Sequence, residues 1–183
     1  MESYLTSVKK QFLYYKSLGD KTFNQLTEKD FFKKQNDSDN SIAIIVKHLT
    51  GNMLSRWTNF FEEDGEKNWR NRDDEFTSTY LTKVEVIINW EKGWDCLFKT
   101  INSLENKDLN KIVYIRNQGH TVIEAINRQL CHYSYHVGQI VLKAKDLNSD
   151  TWISLSIPKN NSKSYNSKKF KQSKSRKNFI DSK

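Results

Sequence analysis

Apolar side chains recur at three- and four-residue steps in four stretches of the chain, the spacing that lines one face of an α-helix. The first stretch, about residues 3–25, sets Tyr4, Val8, Phe12, Tyr15, Phe23 and Leu26 near one stripe. Gly19 interrupts it, and a kink or weak point is expected there. The second stretch, about residues 42–61, carries Ile42, Ile45, Leu49, Met53, Trp57 and Phe60 and follows a run of cap-forming residues ending at Ser41. The third, about residues 79–104, carries Val86, Trp90, Trp94, Leu97, Ile101 and Leu104. The fourth, about residues 121–145, has the clearest start, because Thr121 and Glu124 stand at capping-box spacing.

The connections shape the topology. Between the second and third helices lies a charged segment of residues 62–78 that contains Asp64-Gly65-Glu66. A connection that long in a bundle is a crossover or a functional segment rather than a simple hairpin. It could cover a site or brace the crossover, and bracing is the reading preferred. Lys111 to Ile115 is β-branched and could form a short extended piece. The expected fold is all-α, a four-helix bundle with a long crossover between helices two and three, so its topology is not plain up-down-up-down. No internal repeat is seen.

Composition narrows the class. Of 183 residues, 36% are hydrophobic, with Trp 5, Tyr 8 and Phe 10, which excludes wholesale disorder. One proline and six glycines argue against a turn-rich β-sandwich. The longest aliphatic run, Ile42 to Val46, is far short of a bilayer span. Met1 to Tyr4 has no basic or apolar character of a secretory leader, and Cys96 and Cys131 form no CxxC pair. Reduced thiols and a cytoplasmic location are the expectation.

The formal charge of +8 is unevenly placed. Residues 159–183 hold nine Lys or Arg against the single acid Asp181, so residues 1–158 are neutral overall. The reading is one bundle domain over residues 1–166 and a basic, Lys/Ser-rich, disordered tail over residues 167–183. Such a tail is either a solvated terminus or a weak contact for nucleic acid or an anionic lipid surface. Its rings, Tyr165, Phe170 and Phe179, are too sparse for a base-stacking platform.

The candidate chemistry lies in the histidines. His132 and His136 stand at i and i+4 in the fourth helix, one turn apart on one face, where both can hold one divalent metal. Ala125, Arg128 and Gln139 share that stripe. His48, midway along the second helix, is followed on its own face by Asn52 and Arg56. Three imidazoles would leave metal positions open for water or substrate; the alternative is that the histidines are packing residues. The residues Tyr133-Ser134-Tyr135 exclude an HExxH protease motif, and no ExxH occurs anywhere. His120 lies 12 residues before His132, too far to share its metal, and is expected to interact with the helix start or the loop of residues 117–119. Cys131 points away from the histidine face and reads as a packed thiol.

Four segments, Ser41–Trp57, Asp64–Asp73, His120–Ile140 and Trp152–Pro158, carry a family resemblance over about residues 1–166. The three-histidine layout resembles the DinB-like superfamily of four-helix bundles, and more closely one branch of it, a family carrying a domain of unknown function. The resemblance implies a divalent ion, zinc or nickel with iron also admissible, held by His48, His132 and His136. It further implies a thiol S-transferase-type enzyme using a low-molecular-weight thiol such as bacillithiol or mycothiol, acting on an electrophile. Arg128 and Arg56 are the candidate groups for a carboxylate of that cofactor, with an ordinary surface salt bridge as the competing reading. A homodimer is expected by the same resemblance. Two other readings stand beside this one: a metal-binding, stress-associated dimeric bundle without turnover, and a nucleic-acid-associated protein acting through its tail.

Overall fold

The computed structural model describes residues 4–77 and 80–182. Four long helices dominate: α1 (Tyr4–Phe23), α2 (Ile42–Trp57), α3 (Lys83–Ser103) and α4 (Val122–Leu147). A short helix α5 (Ser162–Phe170) follows, with no buried residue. A hairpin of β1 (Ile112–Ile115) and β2 (Gln118–Thr121) precedes α4. The bundle closes as a ring, since α1 packs on α4, α4 on α2, α2 on α3 and α3 on α1. No helix among the described residues is long and apolar enough to cross a membrane.

Local signals explain the helix ends. Ser41 Oγ accepts from the Ile44 N–H and starts α2; α2 stops at Trp57 rather than near Phe61 because Asn59 takes a left-handed conformation, φ 47°. The expected start of α3 near residue 79 moves to Lys83, where Thr82 and Glu85 complete a capping box. Thr121 and Glu124 form the one foreseen for α4. The β-branched piece after α3 pairs antiparallel with β2, Ile115 opposite Gln118. Its two-residue turn, Arg116 and Asn117, has φ of 54° and 60°, the signature of the turn that suits strand twist.

Each helix gives one ring to the centre. Phe12 of α1 meets Trp57 of α2, Trp94 of α3 and Tyr133 of α4 at centroid distances of 6.2, 6.4 and 6.0 Å. A polar ladder fixes the rotation of α2 against α4. Trp57 Nε1 donates to the Tyr133 hydroxyl at 3.0 Å, and that hydroxyl donates to Asn52 Oδ1 at 3.0 Å. Burial pushes the Tyr133 phenol up, so it stays a donor.

Gly19 does not break α1, which runs unbroken through it. The residue is buried where α1 meets α3: a Cβ there would lie 2.4 Å from Trp90 Cζ2. Trp90 is held in that position by its Nε1 donating to Asp20 Oδ1 at 2.8 Å. Close approach, not flexibility, explains the glycine.

α2 is buried on nearly every side, because residues 58–77 of the crossover lie over the face the other helices leave bare. Asp64 accepts from the backbone N–H groups of Arg116 and Asn117, each at 2.8 Å, and Gly65 N–H donates to the Tyr114 carbonyl at 2.8 Å. The crossover is thus pinned to the hairpin before it runs back along α2. At the other end of the chain, Asp181 pairs with Lys10 at 2.9 Å and Phe179 stands edge-on to Tyr14.

Gly19→Ala is expected to lower unfolding free energy by about 1–3 kcal/mol through overpacking against Trp90, although alanine is the better helix former. Denaturant titration followed at the tryptophans checks this.

Candidate metal centre

Registering α2 against α4 through Asn52 and Tyr133 brings their neighbours together. Asn52 stands one turn after His48, and Tyr133 directly follows His132. The Nε2 atoms of all three histidines then face one point. His132 Nε2 lies 3.3 Å from His48 Nε2 and 3.1 Å from His136 Nε2. The three ligand atoms fall within 4.8 Å of one another. Ligands 2.0–2.1 Å from one zinc ion would be separated by about 2.9 Å at right angles and about 3.3 Å in a tetrahedron. The observed separations fit.

The outer ring nitrogens decide where the protons are. His48 Nδ1 meets Glu75 Oε2 at 2.8 Å, and His136 Nδ1 meets Gln139 Oε1 at 2.7 Å. Both partners are acceptors, so each Nδ1 carries a proton and each ring turns its Nε2 inward; burial keeps the His136 ring neutral, with a lone pair at that Nε2. Burial, then the neighbouring charge of His136, holds His132 down at about 3; burial also holds His136 at about 4. Three imidazoles with convergent Nε2 atoms, two of them kept neutral by burial, are a donor set that suits a divalent cation. The residues fit the metal.

Glu75 is the residue the sequence did not single out. Burial alone would raise its carboxyl, but the His48 hydrogen bond and the Arg70 guanidinium outweigh burial and hold it low. Arg70 grips it with two bonds, Nε to Oε1 at 2.7 Å and Nη2 to Oε2 at 2.9 Å. Glu66 in turn links Arg70 to Arg56. Phe76 stacks on the His48 ring at 5.0 Å, and Lys47 holds the end of the turn through the Asp74 and Thr77 carbonyls. The crossover therefore braces the fold, as preferred, and also supplies the wall behind His48.

Gly51 was the available signal for that wall. A Cβ on it would stand 2.2 Å from Glu75 Oε1. Glycine inside a helix costs roughly 0.5–1 kcal/mol relative to alanine, so its presence in α2 marks something approaching closely. Here it is the carboxylate.

The triad opens into a cleft of about 430 Å³. Its lining includes Asn52, Arg56 and Arg128, as the helical faces suggested, together with Gln129 and Tyr135. Arg128 is exposed and meets His120 Nε2 at 3.3 Å. Arg56 is buried, bonded to Glu66 at 3.0 Å and to the Gly65 carbonyl. Ala125 is packed in the core, and Gln139 stands behind His136. His120 lies in β2, outside the triad. Cys131 is exposed, not packed, because its position on α4 faces away from the other helices.

Two outcomes test this arrangement. Glu75→Gln or Gly51→Ala should weaken zinc binding about 10–100-fold while helical content is kept, as read by competition with a chromophoric chelator. Acid should also unsettle the metal-free fold. Unfolded histidine takes a proton below about 6.5, whereas His136 does so only near 4 and His132 near 3. The unfolded chain binds more protons in that window, so stability is full above about pH 6.5 and falls as pH drops towards 4. Denaturation midpoints measured across that range check the sign.

Comparison with known proteins adds a family and nothing finer. No curated protein and no solved structure matches the chain. A family model described as a protein of unknown function, DUF1572, matches residues 1–161, which takes in all four long helices, the hairpin and every histidine of the triad; the chain belongs to the DUF1572 family.

Proposed function

We propose that this protein is a divalent-metal-dependent enzyme of the thiol S-transferase type, with His48, His132 and His136 as the metal ligands. One observation carries the metal: three Nε2 atoms converge within bonding reach of a single ion, two of them on rings whose Nδ1 is engaged by Glu75 and Gln139. The open side supports catalysis over a purely structural site. Only three His, Cys, Asp or Glu ligands meet among the described residues, and they meet at the floor of a cleft. A structural zinc site is normally closed by a fourth protein ligand.

The reaction class comes from the resemblance to the DinB-like superfamily. A bound divalent cation would supply a positive charge that keeps a ligated thiol deprotonated near neutral pH, making it a nucleophile. The chain's own residues do the rest. Glu75 and Gln139 hold the imidazole tautomers, Arg70 and Gly51 hold Glu75, and the Asn52–Tyr133–Trp57 ladder keeps α2 and α4 in register. Arg128, exposed and lining the cleft, would hold a carboxylate of a thiol such as bacillithiol, whereas Arg56 is tied into the wall by Glu66.

Elemental analysis of untagged protein purified without chelators should find about one equivalent of zinc, nickel or iron per chain, lost in His136→Ala. The loaded protein should then conjugate bacillithiol to an electrophile such as 1-chloro-2,4-dinitrobenzene, with activity removed by chelation and restored by the ion. Absence of metal, with no uptake when these ions are added, would sink the reading.

A further inference from the structure

Five arginines line the cleft above the triad: Arg56, Arg70, Arg72, Arg116 and Arg128. Arg70 and Arg56 are committed to the wall, through Glu75 and Glu66. The other three arrive from three separate elements, the crossover, the hairpin turn and α4, and all three are exposed. None has a carboxylate to itself among the described residues. Arg72 lies over the Phe76 ring at 5.1 Å, and Arg128 meets the His120 imidazole. Arg116 reaches Glu66 Oε2 at 3.3 Å, an oxygen already held by Arg56 and Arg70.

No Asp or Glu side chain lines this cleft among the described residues. Three exposed guanidinium groups therefore line a concave site whose nearest acids, Glu66 and Glu75, are already engaged by Arg56 and Arg70, and the positive charge left over draws an anion. Deeper in the wall two buried atoms, Arg56 Nε and Gln129 Oε1, have no partner among the described residues. Gln129 itself is 3% exposed and lines the cleft.

We propose that the cleft mouth is an anion subsite in which Arg72, Arg116 and Arg128 bind a small ligand carrying at least two negative charges. The ligand is a dicarboxylate or a phosphate ester, groups that guanidinium forks match through paired hydrogen bonds. The proposal deepens the reading of the cleft as a substrate site, but it stands without the metal. Metal and anion are held by different side chains.

The test is calorimetric titration of the full chain, stripped of metal by a chelator that is then removed, at low ionic strength. The probes are succinate, inorganic pyrophosphate and, as the monoanion control, acetate. Succinate or pyrophosphate should bind saturably and at least tenfold more tightly than acetate, and whichever binds more tightly identifies the carboxylate or the phosphate source. Arg72→Ala and Arg128→Ala should each weaken that binding by roughly tenfold or more. The double variant Lys174→Ala/Lys177→Ala, in the basic tail, should leave it unchanged. Circular dichroism shows that each variant keeps its helices. Binding no tighter than acetate, binding untouched in the arginine variants, or an equal loss in the tail variant would overturn the proposal. A failed metal site would instead show as absent metal, with anion binding intact on the stripped protein.

Discussion

Three imidazoles turned towards one point are the constraint on which the rest of the structure depends. With Nδ1 of His48 against Glu75 and Nδ1 of His136 against Gln139, both rings turn Nε2 inward. His132 Nε2 stands between them at 3.3 and 3.1 Å. Burial and neighbouring charge hold the protons off His132 and His136. A divalent cation would put a positive charge where these three nitrogens converge.

Holding that arrangement takes most of the bundle. The two histidines of α4 are aligned by one helix turn, but His48 must be brought to them by the packing of α2. Its register is set by the central rings Phe12, Trp57, Trp94 and Tyr133 and by the hydrogen bonds from Trp57 through Tyr133 to Asn52. The crossover then closes over α2 and delivers Glu75 to the back of His48, in the space Gly51 leaves open. A second consequence of the same fold is the ring of arginines. The hairpin turn, the crossover and α4 meet around the cleft, and each contributes a guanidinium there.

Much of this was legible in the chain. Helical periodicity located four helices, Thr121 and Glu124 marked the start of α4, and the spacing of His132 and His136 placed two imidazoles on one face. The pairing of His48 with them followed from the polarity of its helix face and from family resemblance, and the structure brings all three together. What escaped were contacts between segments distant in sequence. Glu75 lies 27 residues from His48 in the chain, and nothing local distinguishes it from the acids beside it. Gly51 carried the signal, because a helix-interior glycine needs a reason, and the reason lay outside the helix. Gly19 gave the opposite lesson: an interruption in an apolar stripe looked like weakness and is a tight contact with Trp90. Arg116 was invisible as a cleft residue until the β-branched segment was known to fold into a hairpin.

The central claim is that one ion sits among three imidazoles with an open side towards the cleft. Anomalous diffraction from crystals of the zinc-loaded full chain measures this directly. The account predicts a single strong peak about 2.0–2.1 Å from the Nε2 atoms of His48, His132 and His136, with non-protein density completing its coordination. A peak elsewhere, as at His120 or Cys131, or no peak among the triad at saturating zinc, would contradict it.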